Sequence, residues 1–286
     1  MSPDPEFTRL ALYARSDDVR AGLRWAAERV GLTVVDLTAD PSSVAAAVGP
    51  GTAVRAPGGL VSSAMAGSAV TADGAVITLA GPTPEWFASL GPAVTGRQWV
   101  LCTPTEARSM VQDSPTFVKL ADGKHPGFPA RRLRSAEVLD EAVAAVGGSP
   151  DVELLVTKEW LAIDSEYRIF TVTREVTAAS PYRVQDEPWS PLLRTHRASF
   201  HDEAAEWAHQ FLSGLDADSV PPAAVLDIAR LDDGRFVLLE VNQTWGAGLY
   251  GCDPAGALRA VLAANSAGAP GPDGRWLWRP DRHLRY

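Results

Sequence analysis

Lysine is scarce in this chain of 286 residues: it occurs three times, whereas arginine occurs 23 times. The lysines are Lys119, Lys124 and Lys158, all within a window of forty residues. Because arginine fills the ordinary cationic positions, a retained lysine indicates a place that needs a compact, flexible ammonium. Phosphate oxygens are one such target. Chance clustering is the alternative, so the neighbouring residues must decide between the two.

Other absences exclude several classes of protein. The two cysteines, Cys102 and Cys252, lie far apart and have no metal-type spacing, which excludes a disulfide framework and a zinc site. No apolar run is long enough to span a membrane, and residues 1–8 lack the features of a signal peptide. The net charge of -9 argues against a nucleic-acid partner. We therefore expect a cytoplasmic protein with neither a membrane nor a nucleic-acid partner.

The first hundred residues alternate short apolar runs with an amphipathic segment, which predicts strand, helix, strand and a small parallel α/β lobe. A further strand is predicted at 75–80. Later strand-like runs are interleaved with helices predicted at 136–146, 202–212 and 254–265. The tail is expected to be irregular and to dock through its tryptophans.

Polar side chains interrupt two apolar runs near the end of the chain. Glu240 and Asn242 are two apart in FVLLEVN, so both leave the same face of a strand, which Leu238 is expected to share. Asp227 interrupts AVLDIARL, and the intervening LDDGR predicts a hairpin with Asp227 roughly opposite Glu240. Two carboxylates and an amide oxygen suit a hard divalent cation that also bridges to substrate phosphates. A solvated sheet face is the alternative, although Asp and Asn are poor strand formers.

An apolar connector flanked by acids follows the run VELLVT. Glu159 ends one strand, Trp160 and Leu161 follow, and Glu166 is predicted to open the next strand with Arg168 on the same face. A connector of this kind suits an adenine edge and ribose hydroxyls. A surface ion pair is the alternative.

Lys119 is predicted at the end of the short strand TFVKL. A glycine-bearing loop with Lys124 and the pair Arg131 and Arg132 follows it. An ammonium at a strand end beside a flexible loop can bind a polyphosphate and close over it. A basic surface loop is the alternative.

In this order, the elements FVK, EYRIF, DIARL, LLEVN and WGAGLYGCDP resemble the ATP-grasp superfamily, within it the small clade characterised by one arginine and two lysines. The resemblance covers roughly residues 99–264. It implies a mixed α/β (α+β) fold with an N-terminal parallel lobe, 1–97, and two α+β lobes that clamp ATP, 98–170 and 171–286.

The resemblance also implies an activity. A carboxylate is phosphorylated by ATP to an acyl phosphate, an amine attacks it, and ADP and phosphate leave. Small molecules or peptides would supply the carboxylate and the amine, and the enzyme would be a monomer or a homodimer. The implied ATP-binding residues are Lys119, Lys124, Glu159, Trp160, Leu161 and Glu166, and the implied Mg²⁺ ligands are Asp227, Glu240 and Asn242.

One position departs from the family pattern. Many amide-forming members have arginine where this chain has Val225, so Arg168 or Arg230 would have to stabilise the acyl phosphate. Three alternatives stay open: a small-metabolite kinase, a nucleotide-binding module without turnover, and a dinucleotide-dependent oxidoreductase. The last is suggested by a GxGxxG pattern starting at Gly246, but no second strand ending in an acid is predicted after the following helix.

Overall fold

The computed structural model of this chain divides into two compact units. Unit 1 consists of Met1–Pro82 and Ile163–Trp278, and unit 2 of Thr83–Ala162 with Arg279–Tyr286. The residues that the structure describes are 6–67, 78–184, 187–188, 198–266, 269–271 and 273–279.

Unit 1 begins with a small parallel sheet. Its elements are β1 (Arg9–Leu12), α1 (Asp17–Arg29), β2 (Thr33–Asp36), α2 (Pro41–Ala47), β3 (Thr52–Arg55) and α3 (Gly58–Gly67). The strand order is β2-β1-β3, with both pairings parallel. Asp40 caps α2 by accepting a hydrogen bond from the Ser42 N–H, and Gly31, with φ of 83°, lies just beyond the end of α1. The predicted strand, helix, strand pattern is confirmed.

Unit 2 is built on an antiparallel sheet. Its elements are α4 (Pro84–Ser89), α5 (Pro92–Thr95), β4 (Val100–Cys102), α6 (Pro104–Asp113), β5 (Thr116–Leu120), β6 (Arg131–Leu133), α7 (Ala136–Ala145) and β7 (Leu154–Thr157). The strand order is β4-β7-β5-β6. A capping box between Thr103 and Glu106 starts α6, and the Ser135 hydroxyl caps α7. The helices and strands share an apolar core.

The second segment of unit 1 contains a larger antiparallel sheet. Its elements are β8 (Ile163–Val172), β9 (Glu175–Val184), β10 (Glu187–Pro188), α8 (Ala198–Ser213), a 3₁₀ turn (Ala217–Ser219), β11 (Ala223–Leu231), β12 (Phe236–Asn242) and α9 (Pro254–Asn265). The strand order is β10-β9-β8-β11-β12. Long strands β8 and β11 lie at its centre and are almost wholly buried.

Helix α9 joins the two sheets of unit 1. Its buried face belongs to one core cluster with residues of the parallel sheet and of β8 and β11. A Cβ placed on Gly256 would lie 1.9 Å from the Thr177 carbonyl oxygen, so only glycine permits this close approach of helix to sheet. The polar groups of the larger sheet are therefore held by the same core as the N-terminal segment.

Most predicted elements are confirmed, with small shifts at their ends. Residues 75–77 of the strand predicted at 75–80 lie outside the described residues, and Ala80 forms an isolated bridge with Leu277. Trp276 and Trp278 are buried, as predicted for the tail. Both cysteines are buried free thiols, Cys102 in unit 2 and Cys252 in unit 1.

Candidate functional site

A row of charged side chains crosses the larger sheet of unit 1. Asp227 in β11 pairs with Arg168 in β8 on one side and with Glu240 in β12 on the other. The predicted hairpin is thus confirmed, with Asp227 directly opposite Glu240. Asn242 pairs with Val225, two residues from Asp227, so it leaves the same face.

A β-bulge in β12 sets this arrangement. The partner of Asp227 is Glu240, whereas the next residue, Ile228, pairs with Leu238, so Leu239 is the extra residue. The expectation that Leu238 shares a face with Glu240 is wrong, because the bulge shifts the alternation by one residue. Leu238 instead lies opposite Ile228 in the core, and Glu240 stays beside Asp227.

The centre of the row is a buried ion pair. Arg168 donates from Nε to Asp227 Oδ1 at 2.9 Å and from Nη2 to Oδ2 at 2.7 Å, a bidentate contact. The side chains are 5% and 1% exposed. Burial alone would lower the pKa of Arg168, but the charge and hydrogen bonds of Asp227 raise it. Asn242 Nδ2 also donates to Asp227 Oδ2 at 3.0 Å, so Asp227 is fixed from two sides.

Glu166 lies beside this pair on the same face. It is the fourth residue of β8, so the prediction that it opens the strand is wrong: pairing with β9 and β11 extends the strand back to Ile163. Its carboxylate accepts a hydrogen bond from the Tyr182 hydroxyl and lies 3.6 Å from Arg183 Nη1. Burial, with the negative charges of Asp227 and Glu240, raises the pKa of Glu166.

Two tyrosine rings cover Arg168. Its guanidinium lies 4.6 Å from the ring centroid of Tyr250 and 5.3 Å from that of Tyr182, within cation–π range. Tyr250 has φ of 46°, a left-handed conformation that is rare for a bulky residue. Sequence reasoning missed both tyrosines, because their contacts depend on sheet register and on a loop conformation.

The GxGxxG pattern lies in the loop 243–252 that connects β12 to α9. The Gly248 carbonyl accepts from Arg168 Nη1 at 2.9 Å, and the Tyr250 carbonyl accepts from Ser180 Oγ at 2.7 Å. In the part of the chain that the structure describes, no strand follows α9. The loop thus binds side chains of its own unit, and the βαβ unit of a dinucleotide site is incomplete.

Arg230 is not brought to this row. It lies three residues along β11 from Asp227 and therefore on the opposite face of the strand. Its Nη1 is 3.5 Å from Asp164 Oδ2. Of the two arginines predicted to assist the reaction, Arg168 lies in the row with Asp227 and Glu240, and Arg230 pairs with Asp164 instead.

In unit 2, Lys119 lies near the end of β5, as predicted. Its ammonium is 5.2 Å from the ring centroid of Phe87 and 5.5 Å from that of Trp99. Val118 and Leu120 on either side point into the core of the unit. The alternation of the strand thus presents Lys119 on the opposite, aromatic face.

Arg97 is a cation beside Lys119 that sequence reasoning missed. It is buried, with its guanidinium 4.4 Å from the ring centroid of Trp99. It also helps to lower the pKa of Glu159, for which the main cause is a 2.6 Å hydrogen bond from the Thr157 hydroxyl. No sequence signal distinguishes Arg97 from 22 other arginines.

The remaining predicted residues of unit 2 lie on its surface. Lys124 is exposed in the loop after β5, where Gly123 has φ of 82°. Trp160 is 65% exposed, and the Arg132 guanidinium lies 5.9 Å from its ring. Leu161 is partly buried in the same connector. A large exposed aromatic ring in a short connector is available for contact with a ligand.

Comparison with known proteins identifies the family. The model that matches is an ATP-grasp domain, family 2 of the clade named for one arginine and two lysines, and it covers residues 95–260, more than half of the chain. This chain belongs to that ATP-grasp family. A search of curated proteins found no match.

Solved structures agree with this ATP-grasp assignment. A RimK domain ATP-grasp protein from Sphaerobacter thermophilus is 15% identical with a TM-score of 0.52, over 90% of this chain and 100% of that chain. A carboxyaminoimidazole synthase from Aspergillus clavatus, solved with ADP and 5-aminoimidazole ribonucleotide, is 14% identical with a TM-score of 0.50, over 95% and 79%. At these identities the likeness shows the fold alone. The predicted fold class, with a parallel sheet and antiparallel sheets, is confirmed.

The ATP-grasp hairpin supplies oxygen donors that suit Mg²⁺. Within the described residues, no three His, Cys, Asp or Glu side chains form a ready-made metal group. Mg²⁺ usually takes one or two carboxylates and completes its shell with water and substrate phosphates. Asp227, Glu240 and Asn242 carry oxygens of this kind. Asp227 Oδ2 already accepts hydrogen bonds from Arg168 and Asn242, whereas Oδ1 accepts one from Arg168, so Oδ1 is the Asp227 oxygen with a lone pair left for an ion. No helix in the described ranges is long and apolar enough to cross a bilayer.

Proposed function

We propose that this ATP-grasp chain is an ATP-dependent carboxylate–amine ligase that forms an amide or peptide bond and releases ADP and phosphate. The observation that carries the proposal is the row Arg168–Asp227–Glu240, with Asn242 beside it, in a chain of the ATP-grasp family. A row of acids beside a buried arginine suits a magnesium-bound polyphosphate next to a reacting carboxylate.

In unit 2, Lys119 and Lys124 would contact phosphate oxygens. Lys119 is held on a strand, whereas Lys124 lies in a glycine-containing loop that can adjust to its ligand. The connector residues Glu159, Trp160 and Leu161 would contact the adenine. Because hydrogen bonding keeps the pKa of Glu159 low, its carboxylate stays an acceptor at neutral pH.

In unit 1, Asp227, Glu240 and Asn242 would hold Mg²⁺. The bound ion would neutralise phosphate charge during transfer. Arg168 fixes the orientation of Asp227 and places a positive charge on the same face, where charge develops on the transferring phosphoryl group. Glu166 would accept a ribose hydroxyl. Arg230, on the opposite face, has no role in this proposal.

The proposed reaction has two steps, a phosphoryl transfer and then an acyl transfer. A substrate carboxylate oxygen attacks the terminal phosphorus of ATP, the bond to the bridging oxygen breaks, and ADP leaves. The amine nitrogen then attacks the acyl carbon, phosphate leaves with the carbon–oxygen electron pair, and the amine loses a proton. The row of side chains would supply positioning and charge stabilisation.

The test is ADP release in a screen of paired carboxylates and amines with Mg²⁺ and ATP. We expect Lys119→Ala and Glu240→Ala each to lower turnover at least about 100-fold, the scale of losing one charge-stabilising group. Lys158→Ala, an exposed lysine in the same unit as Lys119, is the matched control and should retain activity. Normal turnover by either site variant would contradict the assignment.

Hydroxylamine identifies the intermediate. It traps an acyl phosphate as a hydroxamate, so a hydroxamate formed with ADP supports the ligase. ADP with a stable phosphorylated product and no hydroxamate would indicate a kinase. The absence of ADP release with every pair would indicate a nucleotide-binding module.

A further inference from the structure

Strand β9 contains a second β-bulge, which lies beside Glu166. Glu166 in β8 pairs with Arg183, and the next residue of β8 pairs with Pro181. Tyr182 is therefore the extra residue of the bulge. Bulges redirect side chains and are over-represented next to active sites. This one brings two consecutive side chains of β9 to a single carboxylate: the Tyr182 hydroxyl donates to Glu166 Oε2, and Arg183 Nη1 lies 3.6 Å from Oε1.

The two neighbours of the Glu166 carboxylate hold it differently. Tyr182 is partly buried, and its phenol donates a direct hydrogen bond. The Arg183 side chain is 46% exposed, and its distance of 3.6 Å is beyond the usual length of a hydrogen bond. An exposed ion pair of this kind contributes little. The orientation of the Glu166 carboxylate is therefore set mainly by Tyr182.

The ring of Tyr182 is itself held in place. Its centroid lies 5.3 Å from the Arg168 guanidinium and 5.2 Å from the centroid of the Tyr250 ring. Burial, together with the negative charges of Asp227 and Glu166, raises the pKa of Tyr182, so its hydroxyl keeps its proton and remains a donor. Tyr182 thus connects Glu166 to the buried ion pair of Arg168 and Asp227.

The hydrogen bond from Tyr182 leaves acceptor capacity on Glu166. A carboxylate has about four lone-pair sites, two on each oxygen, and the phenol takes one of those on Oε2. The Glu166 side chain is 10% exposed, which offers a ligand only a narrow approach. The direction in which the carboxylate points therefore decides whether a hydroxyl can reach it.

We infer that Tyr182 is a positioning residue that orients Glu166 toward the ribose hydroxyls of ATP. The inference deepens the proposed function and rests on it, because Glu166 is the ribose acceptor proposed there. Without the phenol, the carboxylate would turn toward the guanidinium of Arg183. The protein would then lose its preference for nucleotides that carry both ribose hydroxyls, with little change in the binding of the base and the phosphates.

Calorimetric titration with ATP and with 2′,3′-dideoxy-ATP, each with Mg²⁺, measures that preference. We expect wild type to bind ATP about 10- to 100-fold more tightly than the dideoxy nucleotide, as for a hydrogen bond to a charged group. Tyr182→Phe keeps the ring and loses the donor, so the preference should fall about 10-fold or more, through weaker binding of ATP alone. The matched control is Arg183→Gln, which removes the other neighbour of the same carboxylate and should keep the preference.

A merely structural role predicts a different result. Equal weakening of both nucleotides by Tyr182→Phe would overturn the inference, as would an unchanged preference in that variant or a larger loss in Arg183→Gln. If Tyr182→Phe does not fold, Tyr182→Lys decides, because its ammonium is a donor with a reach similar to that of the phenol hydroxyl. Loss of the preference despite this donor would overturn the inference.

The wild-type titrations separate this inference from the proposed function. Tight binding of ATP and of dideoxy-ATP with equal affinity would overturn the role of Glu166 at the ribose, and that of Tyr182 with it, while the ATP site would stand. Binding of neither nucleotide would refute the proposed function and the inference together. A preference that depends on Tyr182, without ADP release for any carboxylate and amine pair, would support the inference while refuting the ligase proposal.

Discussion

The candidate site residues of unit 1 are hydrogen-bonded to one another, whereas several of those in unit 2 are exposed to solvent. Asp227 and Arg168 are almost fully buried in a shared network, while Trp160 is 65% exposed. A buried, mutually bonded group contributes to folding as well as to function, because removing one member leaves its partner uncompensated. An exposed group can change with little effect on folding. Substitutions should therefore separate stability from activity differently in the two units.

The largest effect should follow from breaking the buried pair. Asp227→Ala leaves the Arg168 charge buried without its carboxylate, and we expect the free energy of unfolding to fall by about 3–5 kcal/mol. Denaturant unfolding measures it. The control is Glu175→Gln, which breaks an exposed pair with Arg259 in the same unit and should cost at most about 1 kcal/mol.

Removing the whole pair sharpens the result. Arg168→Met combined with Asp227→Leu should recover much of the lost stability, because no isolated charge remains. If Asp227→Ala and Glu175→Gln lowered the free energy of unfolding equally, burial would not be what sets the contribution of these ion pairs to stability.

A smaller, pH-dependent effect is expected at Glu166. Its folded pKa is raised above the usual 4.5, so its contribution to stability is fully present below about pH 4.5 and is lost as pH rises through the folded pKa. Glu166→Gln should remove that loss. The free energy of unfolding of the variant, relative to that of the wild type at the same pH, should therefore be higher at neutral pH than at pH 4. Thermal unfolding across this range measures the difference, and a difference that is independent of pH would contradict it.

The smallest effect on stability should come from unit 2. Trp160→Ala should change the free energy of unfolding by no more than about 0.5 kcal/mol, because the ring is exposed. We expect it to weaken ATP binding, measured by titration with a fluorescent ATP analogue. Unchanged affinity would remove Trp160 from the nucleotide site.

The sequence predicts those features that depend on local periodicity. Strand alternation and the LDDGR turn were enough to place Asp227 opposite Glu240, and the TFVKL run placed Lys119 in a strand. The bulge at Leu239 leaves no such signal, because it arises from pairing with a neighbouring strand. The Arg55 guanidinium donates to the carbonyl of Ala247, 192 residues away, and that contact depends on helix α9 joining the two sheets.

The two cysteines have a practical consequence. Each unit contains one buried thiol: Cys102 ends β4 in unit 2, and Cys252 Sγ lies 3.4 Å from the Arg168 carbonyl oxygen in unit 1. Burial raises the pKa of Cys102 to about 11, so its unreactive thiol form predominates in the folded state. An alkylating reagent can reach either sulfur only when the surrounding structure opens. The chain thus contains two natural labels, whose modification rates report the local opening of each unit separately.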